Sequence, residues 1–216
     1  MAVNLKMPRK AGGNAEPELS EDRAQLIQDL HGKHYEDCLA GRVFSHTPTP
    51  LGLEIPVYTE TDFVGGMPIW NPSNSNVRVE LISLTVGKAS GTADFGAIVL
   101  MHRNNVGTDI AAGSEITAFA ETVPFNGFLG AGLASRVKSS SAGTCTCSAG
   151  VAAEAIRSFH GSGVAADLTA TPLDGFHHDF NGTVIVPPGT VIWVAMTQDS
   201  SALYCTTFVW KELRIR

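Results

Sequence analysis

VIVPPGTVIWV, residues Val184–Val194, is a pair of apolar runs joined by Pro187, Pro188 and Gly189, and a third run, SSALYCTTFVWKEL at Ser200–Leu213, follows across a polar turn. Val, Ile and Trp in this density suit a pleated, buried surface. Pro188 fixes φ as the second position of a type II turn requires, and Gly189 supplies the positive φ of the third. The element is expected to set two strands against each other in fixed register, with Ile185 and Trp193 available for the core. Phe208-VWKEL, carrying Trp210, reads as the closing strand of a jelly roll.

Upstream the same signals repeat. In VRVELISLTVG, Val77, Val79 and Leu81 alternate in one phase and Ile82, Leu84 and Val86 in the other, which predicts a bulge or a strand covered on both faces. FGAIVLMH, Phe95–His102, is apolar on both faces and ends at a turn-like RNNVG. Further strands are expected at Ser114–Ala120, Val151–Phe159, Phe180–Val186, Thr190–Met196 and Leu203–Leu213, with long connections through most of Gly127–Gly163. Pro48, Pro50 and Pro56 make the stretch after Val43 extended and unsuited to a central strand. The fold class is mainly β: an antiparallel, jelly-roll-like sandwich over residues 43–216. Before it, residues 1–19 read as a flexible arm and residues 20–42 as one amphipathic helix. Ser20 stands at its N-cap, Leu26, Ile27, Leu30, His34, Tyr35 and Cys38 line one face, and the helix ends near Gly41.

Composition narrows the function. The 216 residues carry a net charge of −6 with 17% charged side chains, so there is no basic footprint for phosphates and nucleic acid is not an expected partner. The one basic cluster, Lys6, Arg9 and Lys10, lies in the arm. No run of about 18 apolar residues is present to span a membrane, and Lys6 and Arg9 interrupt any signal-peptide core. Assembly in a cytoplasm is therefore expected, where Cys38, Cys145, Cys147 and Cys205 stay thiols.

Each pattern that could carry chemistry has a plainer explanation. His31 and His34 are three apart and lack the glutamate of a helical zinc motif. His177, His178 and Asp179 would alternate faces on a strand, so the two imidazoles would not share an ion. Cys145 and Cys147 share a face but lie among small residues, as filler, with their redox state left open. Ser139–Ser141 lack a nucleophile elbow, and GAGLAS does not follow a strand and open a helix. Asp94, Asp109, Glu115, Asp167, Asp174 and Asp179 fall in turn-like stretches where Asp bonds the local backbone. Trp70, Trp193 and Trp210 suit core or interface better than sugar stacking. The sequence thus predicts no enzyme, no cofactor and no metal.

Four stretches resemble a family of small structural proteins of tailed bacteriophages: LHGKHYEDCLAGRVF (Leu30–Phe44), IWNPSNSNVRVELISLTVGKASGT (Ile69–Thr92), NGTVIVPPGTVIWV (Asn181–Val194) and FVWKEL (Phe208–Leu213). A looser, fold-level likeness is to the trimeric jelly rolls of tumour necrosis factor and complement C1q. The resemblance implies a virion protein, homo-oligomeric and trimeric, partnered by major capsid or tail proteins. Capsid decoration or cementing is the favoured role, with attachment through residues 1–42, where Lys6, Arg9, Lys10, Ile27, Leu30 and Tyr35 are the candidate contacts. A tail adaptor or receptor-binding tip, using loops such as Ser139–Gly150, is the alternative, and a glycan depolymerase a distant third.

Overall fold

The computed structural model describes residues 7–8, 14–15, 33–49, 51–59, 64–91, 96–104, 106, 116–129, 133–141, 145–147, 153–162 and 175–215. Lys6, Arg9, Lys10, Ile27 and Leu30, with most of the expected arm and helix, lie outside them. The chain divides into two compact units, Met1–Tyr35 and Glu36–Arg216. In the first, β1 (Met7–Pro8) and β2 (Asn14–Ala15) pair antiparallel. Helix α1 is Tyr35–Leu39, and Gly41, at φ +66°, turns the chain out of it as its N–H bonds the Cys38 carbonyl.

Eight strands make the body of the second unit. In chain order they are β3 (Val43–His46), β5 (Ile69–Asn71), β6 (Val77–Ser90), β7 (Gly96–Asn104), β12 (Glu154–Ser162), β13 (Gly175–Asp179), β15 (Thr190–Met196) and β16 (Leu203–Arg214). The short β4 (Leu53–Glu54) pairs with β16 and β14 (Ile185–Val186) with β6. One sheet orders its long strands β13-β6-β16-β3 and the other β5-β15-β7-β12, all pairs antiparallel. Ranked along the chain these are strands 6-3-8-1 facing 2-7-4-5, which is the strand order of a jelly roll. Residues 105–153, between β7 and β12, supply the rest. Here β9 (Phe125–Asn126) extends the first sheet beyond β3, β10 (Lys138–Ser139) extends the second beyond β5, and β8 (Ile116–Phe119) pairs with β11 (Cys145–Cys147).

Packing follows the period of two. Phe44, Val79, Leu81, Leu84, Val86, Phe208 and Trp210 from the first sheet meet Ile69, Ile98, Leu100, Ile192 and Val194 from the second in one core. The opposite face of the second sheet is buried too: Trp70, Val99, Met101, Val191, Trp193 and Ala195 pack under Ile116, Phe119 and Cys145 of the β8–β11 pair. A strand covered on both faces has no polar phase, which is why every residue of β15 is buried. In β6 the phase switch is a bulge: Leu81 pairs with Trp210 and Ser83 with Val209, leaving Ile82 as the extra residue.

Four expectations are corrected. Val43–His46 is an inner strand, between β16 and β9, because the constraint of Pro48 reaches back only to the residue before it. The Pro-Pro-Gly element does not set two strands side by side. Gly189 has the positive φ expected (+79°), but β14 pairs in the first sheet and β15 in the second. Pro187 has no N–H to extend the ladder, so the chain leaves one sheet there and crosses to the other. Ile185 is accordingly exposed, and Trp193 is buried beneath the β8–β11 pair rather than between the sheets. Lastly, the described residues of Gly127–Gly163 contain three strands rather than one, and the Phe180–Val186 strand is broken by a turn in which Asn181 and Gly182 have positive φ.

Candidate functional site

The crossing point is where the most conspicuous sequence motifs converge. Asn71, fully buried at the end of β5, donates from Nδ2 to the Val77 and Val186 carbonyls at 3.0 and 3.1 Å and accepts from Ser75 Oγ at 2.5 Å. Its own carbonyl accepts the Gly189 N–H at 2.7 Å. One amide side chain thereby ties the NPSNSN turn to the VPPG crossing. The amide leaves none of its strong bonding groups unmet, as burial demands. Beside it a cleft of about 330 Å³ opens between the sheets, walled by Ile156, Val184, Ile185, Val186, Pro187 and Ile192. Its polar lining includes Thr190, whose Oγ1 donates to Asn104 Oδ1 at 2.9 Å, and His102, whose Nε2 lies 3.6 Å from Glu154 Oε2. The cleft therefore offers mainly apolar contact.

Histidines 177 and 178 point to opposite faces of β13, as the strand period requires. On the outer face His177 Nδ1 lies 2.8 Å from Thr85 Oγ1 and Nε2 3.1 Å from Asp179 Oδ1. Acid, imidazole and hydroxyl in line would be a nucleophile relay in another setting. Here Thr85 sits on β6 between β13 and β16, where the neighbouring backbone N–H groups serve the two ladders instead of forming an oxyanion site. All three side chains are exposed on an open sheet face. On the inner face His178 packs tilted against Phe159 and edge-on to Phe180, at 5.2 and 5.0 Å, and accepts from Arg157 Nη1 at 2.7 Å, closing the edge between β12 and β13.

A second hydroxyl–histidine contact, here with a serine, lies in the interior. His46 Nδ1 bonds Ser139 Oγ, and Ser139 donates onward to the Thr122 carbonyl at 3.1 Å. Since the hydroxyl has one proton and spends it on that carbonyl, His46 must carry its proton on Nδ1 and donate. That is the reverse of a general base, and Ser139 is fully buried where no substrate reaches. Burial pushes the His46 pKa down from 6.5 to about 4, because the imidazolium would lose its hydration. The pair joins β3 of one sheet to β10 of the other.

Ser139–Ser141 were expected in a loop; they are buried, with Ser141 N–H bonded to Thr122 Oγ1. Cys145 is a buried thiol in the outer core, and Cys38 and Cys205 are half-buried thiols. The Cys147 side chain, His31, Asp94, Asp109, Glu115, Asp167 and Asp174 lie outside the described residues. Tyr35 is 44% exposed at the start of α1. Trp210 is fully buried against Phe44, ring centroids 6.2 Å apart. Trp70 is buried against Phe119 with Lys138 Nζ 5.2 Å from its ring.

Sequence reasoning missed Asn71, His46, Asn126 and Glu212. Glu212 Oε1 accepts from Ser135 Oγ at 2.5 Å while both its oxygens accept the Arg136 N–H at 3.2 and 3.1 Å. A signal did exist for His46, since a period of two through VFSH puts it on the same inner face as Phe44. Among the described residues no three His, Cys, Asp or Glu side chains converge as metal ligands, and no helix is long and apolar enough to cross a membrane. No protein-family model, curated protein or solved structure matches the chain.

Proposed function

We propose that the protein is a non-enzymatic structural component of a tailed-bacteriophage virion, an oligomeric capsid decoration or cement protein. It is assembled in the host cytoplasm and attached to the capsid through residues 1–42. The observation that carries this reading is how the polar side chains are used. His46, Asn71, Ser139, His178 and Glu212, the groups with the most chemical potential, are each engaged in holding one segment to another. From Val43 onward, the segments that carry the phage resemblance are also tied to one another: β16 pairs with β3 and β6, and Asn71 bonds the strand that precedes the Pro-Pro-Gly crossing. Such a chain offers surface and stability rather than turnover. Attachment would draw its strength from the area that residues 1–42 cover on neighbouring capsid subunits.

The test is a binding assay on particles lacking the protein, comparing the full chain with one missing residues 1–19. The deletion is expected to abolish binding while the sandwich stays folded by circular dichroism. Full retention on capsids overturns the role of the arm, and labelling of a few copies at the tail instead of many over the head overturns the decoration role.

A further inference from the structure

The loop that carries β9 inverts the usual rule for an edge strand. From Thr122 to Ser135 the sequence, TVPFNGFLGAGLAS, has no charged residue. Its inward side chains are polar and occupied: Thr122 Oγ1 bonds Ser141, and Asn126 Nδ2 donates to the Gly41 carbonyl at 2.9 Å while its Oδ1 accepts the Phe128 N–H at 2.8 Å. The outward phase is apolar, with Val123 73%, Phe125 66% and Leu129 82% exposed. Phe128, Leu133 and Leu39 of α1 add to the same area at 45%, 55% and 50%. Leu133 lies over Gly41, two residues past Leu39, and Gly127 bonds the Val43 carbonyl with Cys38 Sγ close by.

We propose that this patch is the self-association face of the protein, meeting the same patch on a second copy. Six large apolar side chains exposed together come to several hundred Å², near the roughly 800 Å² per partner of a standard interface and beyond what a monomer ordinarily shows. Among the described residues β9 is the last strand of its sheet, and such an outer edge is a template for another strand. An identical copy supplies an apolar surface and an unpaired edge at once, so contact through a symmetry axis satisfies both. Charge selects the same place. Two copies of a chain of net charge −6 repel, yet this run has no charge, and the acids at its border are paired: Glu121 with Lys138 at 3.6 Å, Asp37 with Arg42 at 2.6 Å.

This inference rests on reading the chain as an assembly component, and its test is independent of any particle. Light scattering coupled to gel filtration, on the full chain over nanomolar to submillimolar concentrations, is expected to show an oligomer that dissociates on dilution. The double variant Phe125→Ser, Leu129→Ser replaces only exposed side chains, so it should keep its circular dichroism and associate at least ~10-fold more weakly. Hydrogen exchange on the unmodified protein gives a second readout: the Asn126 amide, which alternates with the Gly127 N–H bonded to β3 and so faces the open edge, should lose protection on dilution. A wild type that stays monomeric throughout, or a folded double variant with unchanged association, overturns the proposal. An oligomer that fails to bind capsids would instead sink the decoration role and leave this face standing.

Discussion

The eight jelly-roll strands and the insertion at residues 105–153 are held by different forces. Between the sheets, stability comes from apolar area: Leu81, Leu84, Leu100, Val194, Phe208 and Trp210 are all fully buried. The insertion contributes Val106, Ile116, Phe119 and Cys145 to the outer core and Val137 to the core between the sheets, and beyond these and the short β9 and β10 ladders it is pinned by individual polar contacts. His46 holds Ser139, Glu212 holds Ser135 and Arg136, and the Gly41 carbonyl holds Asn126. Apolar burial is non-directional and tolerates small shifts. A buried hydrogen bond fails abruptly when one partner goes, because the other is left desolvated and unmet. Loss of core area should therefore unfold the whole molecule, whereas loss of a polar contact should free a piece of the insertion.

Trp210→Ala probes the first side of that contrast and should have the largest effect. Removing a fully buried indole from between the sheets, where it lies against Phe44, is expected to cost about 3–5 kcal/mol. Urea unfolding followed by fluorescence and by circular dichroism should shift to lower denaturant in one coincident transition. Two separated transitions would mean that the sheets do not share a single cooperative core.

Acid should act next, through His46. Its folded pKa is about 4 against 6.5 for the unfolded group, so the unfolded state binds the proton more tightly. The stabilisation is complete above pH 6.5, declines as pH falls through 6.5 towards 4, and amounts to about 3 kcal/mol across that window. Carboxylates add their own slope, so the informative quantity is the difference between the wild type and His46→Gln. Gln keeps a donor for Ser139 and has no titration, so the variant should be less sensitive to pH between 7 and 4.5. Equal slopes in the two proteins would show that His46 does not govern the acid response.

These elements also mark what a sequence makes legible. Strands buried on one face or two write their burial into period and composition, which is why β6, β7, β15 and β16 could be read directly. The bulge at Ile82 was visible as a change of phase. Pairing partners are not written locally: nothing in VIVPPGTVIWV says whether its two runs lie side by side or in opposite sheets, and the answer depends on β6 and β7, about 100 residues upstream. The polar anchors were hidden for the same reason. Asn71 reads as a turn residue and Glu212 as the end of a strand until distant segments bring them their partners.

Glu212→Gln should have the smallest effect and shows the contrast most clearly. The carboxylate is 7% exposed and accepts the Arg136 N–H on both oxygens and the Ser135 hydroxyl on one. An amide keeps the shape but exchanges one acceptor for a donor facing those donors, so about 1–2 kcal/mol should be lost. Because Glu212 also sits in β16, where its backbone pairs with Val79 and its N–H bonds the Arg42 carbonyl, the strand itself should stay in place. Hydrogen exchange should then rise at Arg136 and Val137 with little change at Phe208 and Trp210. Matching increases at all four amides would mean that the insertion and the jelly roll open together, and that the polar contacts belong to the same cooperative unit as the core.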